Sequence, residues 1–165
     1  MQQDVRTILD ALRRIVRDLR RPHVGRAAQF TPAQLFVLHA LDAPGPVTVN
    51  ELAARTYTHQ SSVSVVAKTL AGRGLVARRP SETDGRRVEL TLTVKGRAAL
   101  RRAPRAPQER IVEGIGRLPP AERARLASSL SALVRAMKIQ GEDAAMFFAD
   151  EPATRPARRR ARARS

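Results

Sequence analysis

The chain has 165 residues, enough for one well-cored domain and too few for two. It contains no cysteine, which excludes disulfides, thiolate metal sites and a cysteine-based redox switch. Its formal charge of +16, from 31 basic and 15 acidic residues, points to a polyanionic partner. Aromatic residues are scarce (4 Phe, 1 Tyr, no Trp), so the core must be built from Leu, Val, Ile and Ala, a composition that favours helices. No apolar run approaches the roughly 18 residues that span a bilayer, and the N-terminus lacks a signal-peptide core, so no membrane association and a cytoplasmic, nucleoid-associated location are expected.

Val5, Ile8, Leu9, Leu12, Ile15, Val16 and Leu19 recur at three- and four-residue intervals and predict a first helix over about residues 1–22, ended by Pro22. Thr31-Pro32-Ala33-Gln34 combines an N-cap hydroxyl, a proline at the first helical position and a glutamine at the third, predicting a second helix to about Leu41. Thr48-x-x-Glu51 is another capping box and opens a short third helix with Leu52 and Ala53 inward; Thr56-Tyr57-Thr58 is the turn after it. A fourth helix is predicted from His59 to Arg73, closed by Gly74 in the left-handed conformation. Leu75–Arg79 and Val88–Leu92 read as a two-stranded antiparallel hairpin around the loop Pro80–Arg87. Thr93 caps a further helix from Val94. Pro104 and Pro107 should bend it, with helix resuming near Gln108 and running to about Arg117. Pro119-Pro120-Ala121-Glu122 starts a last helix whose apolar face is Leu126, Leu130, Leu133, Val134 and Met137.

This order describes a mainly α fold with a small β-hairpin wing: a winged helix-turn-helix flanked by long N- and C-terminal helices. Residues 1–141 form one domain in this reading, with the winged helix-turn-helix lobe at 31–96 and outer helices at 1–22 and 108–139. Residues 142–151 have no clear pattern, and the arginine-rich stretch 152–165, with six arginines and no acid, should be disordered without a partner.

The fourth helix carries the informative chemistry. Val63, Val66, Ala67 and Leu70 form its buried stripe, and Ser61, Val65 and Lys68 lie opposite, flanked by Ser62, Ser64 and Thr69. From Gln60 to Arg73 there is no acidic residue, unlike an ordinary solvated helix face. Small hydroxyls allow close approach to base edges, Val65 suits a thymine methyl, and the N-terminal amides near Thr58, His59, Gln60 and Ser61 suit a phosphate. The bland alternative is a polar surface helix in another small bundle. Arg78, Arg79, Arg86 and Arg87 cluster in and beside the hairpin loop, where an arginine can enter a narrow minor groove. Asp84, two residues before Arg86, is placed to pin that guanidinium; an ordinary basic turn is the alternative.

Together these segments resemble the MarR family of transcriptional regulators. The likeness runs through Thr31-Pro32-Ala33-Gln34, Asn50-Glu51-Leu52-Ala53, Gln60-Ser61-Ser62-Val63-Ser64 and Arg73-Gly74-Leu75-Val76. It continues through the wing, Asp84-Gly85-Arg86-Arg87-Val88, and its exit, Leu92-Thr93-Val94-Lys95-Gly96. It covers roughly residues 1–140, and the wing with its exit is its most specific part. The resemblance implies homodimers joined through the first and last helices, bound to pseudo-palindromic double-stranded DNA. It also implies release by a small effector, often an aromatic or phenolic acid, bound between the dimer helices and the DNA-binding lobe. Tyr57 stands where the family often has glycine, Thr56 and Thr58 where turn residues are often apolar, and Val65 where Arg or Lys is common, so base preference does not transfer.

A dimer also follows from the residues, since the first and last helices carry more apolar face than one small lobe covers. His23, His39 and His59 belong to no ligand-spaced cluster and no catalytic order of side chains stands out, so neither a metal or cofactor site nor an enzyme is expected. Phe147-Phe148 reads as packing against a dimer helix, and the arginine-rich stretch as either added nonspecific DNA affinity or a solubilising appendage. The function expected is a ligand-released repressor; the alternative is a nucleoid-type architectural DNA-binding protein without an effector.

Overall fold

A computed structural model of the chain describes residues 1–20, 29–81 and 87–139. Pro22, His23, Asp84, Arg86, Phe147, Phe148 and the stretch 152–165 lie outside the described residues, so the readings attached to them carry no structural account.

The elements follow the expected order: α1 (Gln2–Leu19), α2 (Pro32–Ala40), β1 (Val47–Thr48), α3 (Val49–Arg55), α4 (Gln60–Gly72), β2 (Val76–Pro80), β3 (Val88–Leu92), α5 (Val94–Leu100), α6 (Pro107–Arg117) and α7 (Pro120–Ala136). Both capping boxes form. Thr31 Oγ1 accepts from the Gln34 amide at 3.1 Å, and Gln34 Oε1 accepts from the Thr31 amide at 3.3 Å. At α3 the same reciprocal pair joins Thr48 and Glu51, with the Thr48 amide 2.8 Å from Glu51 Oε2. Each box satisfies amides that the helix itself leaves without partners, so each entry angle is set locally.

The hairpin of β2 and β3 forms as expected, and β1 adds a strand that the sequence did not announce, making a three-stranded antiparallel sheet in the order β1-β3-β2. Val47 pairs with Leu90, and Val76 through Pro80 pair with Leu92 through Val88. A two-residue strand is too short to show alternation in the sequence. It exists because Val47 is buried beside Leu90 and needs a backbone partner there.

The core gathers Leu35, Val37, Leu38, Leu52, Val63, Leu70 and Leu90, so α2 runs through the middle of the lobe with α3, α4 and the sheet around it. Beyond the lobe the chain bends after α5, as the two prolines require, and α6 turns back along α2. There His39 Nε2 lies 3.1 Å from the Pro104 carbonyl and its Nδ1 lies 3.5 Å from Glu109 Oε1. Arg110 pairs with Asp18 at 2.9 Å, tying α6 to α1.

The end of α4 is fastened to the start of α5. Gly74, at φ +69°, reverses the chain as expected of a left-handed C′ residue. Thr93 Oγ1 then donates towards the Gly74 and Leu75 carbonyls at 2.8 and 3.2 Å and accepts from the Gly96 amide at 3.0 Å. Lys95 Nζ donates to the Arg73 carbonyl at 2.8 Å. Orphan carbonyls at the close of α4 are thus met by the cap of α5. Gly96 permits the approach, because a Cβ there would lie 2.1 Å from the Leu75 carbonyl oxygen.

Two outcomes are expected. Gly96→Ala should lower the unfolding free energy by about 2 kcal/mol or more through forced overpacking, read as a fall in the urea midpoint; an unchanged midpoint contradicts the packing described. Hydrogen bonds from the Thr48 backbone, then its side chain, hold the exposed Glu51 carboxyl below its ordinary value of 4.5. A carboxylate lowered on folding stabilises above its unfolded value and loses that contribution as pH falls through its folded one. The stability gap between wild type and Glu51→Gln should therefore shrink on acidification below about pH 4.5; a gap independent of pH would oppose this.

Candidate nucleic-acid interface

The turn before α4 decides how that helix is presented. Thr56 is buried, and its hydroxyl donates to the Leu52 carbonyl at 2.8 Å. With that proton committed, the 2.9 Å contact between Thr56 and Thr58 requires the Thr58 hydroxyl to donate to Thr56. The polar residues at 56 and 58, unusual against the family pattern, therefore form a local pair that closes the turn. Between them Tyr57 takes a positive φ of 53° and is 75% exposed. A bulky residue in this region is strained, which explains why glycine suits the position.

His59 is the N-cap of α4 and supplies no side-chain cap bond. The first amides of a 13-residue helix are thus left without a capping side chain, at the positive end of its dipole. Val63, Val66, Ala67 and Leu70 are buried as expected. Ser61, Val65, Lys68 and Thr69 are exposed on the other side, Val65 by 64%. Gln60 and His59 are exposed at the helix start, while Ser62 and Ser64 sit half-buried at the edges of the face. Thr69 differs from a simple reading of its hydroxyl, since its Oγ1 donates to the Val65 carbonyl at 3.1 Å. It retains lone pairs for an incoming donor but has no proton to give.

Arg87 is exposed beside β3. Arg78 and Arg79 are exposed along β2, and among the described residues neither has an ion-pair partner, nor has Lys68. These two arginines and Tyr57 are the additions that the structure makes to the expected set. The arginines were visible in the sequence as part of a basic cluster. Tyr57 was visible only as an aromatic in a turn, and its outward position depends on the backbone conformation around it. Taken together, the α4 face is free of acid, has a methyl-bearing side chain at its centre, and is flanked by unpaired cations. Such a surface is complementary to a polyanion with an apolar feature between charges. Among the described residues no cluster of three metal-ligating side chains occurs and no helix is long and apolar enough to cross a membrane.

Comparison with known proteins places this geometry. The sequence signature of the MarR family matches residues 28–87, which hold α2 through α4 and the first arm of the wing. The HTH-type transcriptional repressor MdtR of Bacillus subtilis is 41% identical over 66 residues, 40% of this chain and 43% of the repressor. The matched stretch is thus under half the length of that relative. An uncharacterised HTH-type transcriptional regulator of Mycobacterium bovis is 34% identical over 97 residues, 59% of this chain and 68% of that protein. Among solved structures, Bordetella bronchiseptica BpsR, whose DNA binding is regulated by 6-hydroxynicotinic acid, is 30% identical with a TM-score of 0.51, covering 82% of this chain and 98% of its own. A probable transcriptional regulator from Pseudomonas aeruginosa is 27% identical at the same TM-score, covering 77% and 93%.

The turn yields a prediction. Tyr57→Gly should raise stability by roughly 1 kcal/mol, the relief of the left-handed strain less the entropy of glycine, measured by thermal unfolding. A lower melting temperature would show that the exposed ring packs against something that offsets the strain. With its turn, its exposed α4 face and its wing in the same order as these relatives, the chain belongs to the MarR family of transcriptional regulators.

Proposed function

We propose that the chain is a DNA-binding repressor that grips a pseudo-palindromic operator as a homodimer and is released by a small molecule. One observation carries the DNA-binding reading: the exposed face of α4 holds Ser61, Val65 and Lys68 with no acidic residue, between an uncapped helix N-terminus and Arg78 and Arg79, which have no ion-pair partner among the described residues. In this reading Ser61, Ser62, Ser64, Val65, Lys68 and Thr69 meet the major groove, and the amides near Thr58, His59 and Gln60 meet a phosphate. Arg86 and Arg87 reach the minor groove or its phosphates, with Asp84 supporting Arg86.

The dimer is supported by what the outer helices leave uncovered. Val5, Ile8, Leu9, Ile15 and Val16 on α1, Leu126, Leu130, Leu133 and Val134 on α7, and Met137 at its C-cap are all exposed in the single chain. Apolar faces of that extent mark a contact surface. They belong to the segments 1–22 and 108–139 proposed as dimerisation helices, outside the lobe of residues 31–96. Twofold pairing through them would set two α4 helices to read successive major grooves about 34 Å apart. Release by a ligand is supported by BpsR, a relative whose DNA binding answers to a small aromatic acid.

Three measurements test the reading. Replacing Leu130 by Glu should convert a dimer to a monomer in sedimentation and abolish tight operator binding; a wild type already monomeric at micromolar concentration would sink the dimer. In fluorescence anisotropy with duplex from the chain's own upstream region, Lys68→Ala and Arg86→Ala should each weaken binding by about 1–3 kcal/mol. Footprinting on the same duplex should show one protected palindrome, whereas diffuse coverage would instead favour an architectural coat.

A further inference from the structure

A cavity of about 630 Å³ opens between the start of α2, the end of α4 and the outer side of α5. Its wall is chemically lopsided. Arg73, Lys95 and Arg102 line it, and none of the described residues lining it is acidic. Phe30, Ala98 and Ala99 supply an apolar floor.

Arginines elsewhere in the described residues find carboxylates when these are near: Arg105 pairs with Glu109 and Glu113, Arg110 with Asp18, and Arg13 with Asp10. Arg73 does not. It is half-buried, donates to the neutral amide oxygen of Gln34 at 2.9 Å, and stands 4.7 Å from the centre of the Phe30 ring. These contacts fix the guanidinium without neutralising it, and most of its five donors stay unspent. Lys95 Nζ gives one donor to the Arg73 carbonyl and keeps two. Among the described residues the Arg102 guanidinium has no hydrogen-bond or ion-pair partner. A half-buried cation held in place, with two more lining the same cavity and an apolar floor, makes a site suited to an anion. A single negative charge would leave two of the three cations uncompensated.

We propose that this cavity binds a compact small molecule carrying two or three negative charges, and that its occupancy braces the C-terminal end of α4 against α5. The shared chemistry is a compact polyanion, either a phosphorylated metabolite or a polycarboxylate. The site lies within the lobe, against the closing turn of α4, and not between α1, α6 and α7. The proposal makes no use of DNA binding, so its failure and a failure of the repressor reading are separable.

Calorimetry on the full chain without DNA, at roughly 150 mM salt to screen loose surface binding, provides the test. Citrate and pyrophosphate are the polycarboxylate and phosphate probes and benzoate is the monoanion. At least one polyanion should bind saturably at one per chain, and the tighter of the two identifies the source chemistry. Benzoate should be at least about tenfold weaker. Arg102→Glu should weaken the polyanion at least about tenfold, while Arg101→Glu, an equal charge change at a neighbouring exposed residue that does not line the cavity, should leave it unchanged. Amide exchange provides a second reading that needs no variant: the bound probe should slow exchange at Arg73, Gly74 and Leu75. Absence of saturable binding by both polyanions, equal losses in the two variants, benzoate as tight as citrate, or unaltered exchange at those amides would each overturn the proposal.

Discussion

The fold turns on how the end of α4 is held. A helix that turns one face outward is packed only along the other, so the fastenings at its ends help to set its axis. Here Thr93 and Lys95 meet the carbonyls of Arg73, Gly74 and Leu75, and the missing side chain at Gly96 lets the two backbones come together. The other end of α4 is set by the Thr56–Thr58 hydroxyl pair and the left-handed Tyr57. Between them the buried stripe from Val63 to Leu70 fixes the rotation. These constraints place Val65 and Lys68 outward; altering any of them would turn or tilt the face without touching a residue on it.

Electrostatics follow from the same arrangement. The described acidic residues are largely paired or used as caps: Glu51 at α3, Asp18 with Arg110, and Glu109 and Glu113 with Arg105. Most of these pairs lie at α6, where Asp18 ties it to α1 and Arg105 braces its first turns. The α4 face and β2 are left with cations that have no such partners among the described residues. A net charge of +16 is therefore directed as well as large.

Much of this was legible in the sequence because its causes are local. Both capping boxes, the apolar spacing of α4, the glycine after it and the proline bend after α5 are set by residues within a few positions of one another. The features that escaped have partners far along the chain. β1 is defined only by Leu90 and Glu89 across the sheet, and no two-residue pattern announces it. His39 is isolated in the sequence, and only the packing of α6 brings Pro104 and Glu109 to its two ring nitrogens. Arg73 read as the last residue of a helix; that it faces Phe30 and Gln34 in a cavity emerges only when α2 and α4 cross. The interface itself was partly readable, since the absence of acid from Gln60 to Arg73 is a sequence fact. The commitment of the Thr58 and Thr69 hydroxyl protons to neighbouring oxygens is not.

The outward face of α4 is the surface we propose to meet DNA. Hydrogen exchange of the full chain with and without its upstream duplex tests this most directly. New protection is expected at the start of α4 and along β2, with little change in α2, whose amides are already buried. Protection confined to α1 and α7, with α4 unchanged at saturating duplex, would contradict it.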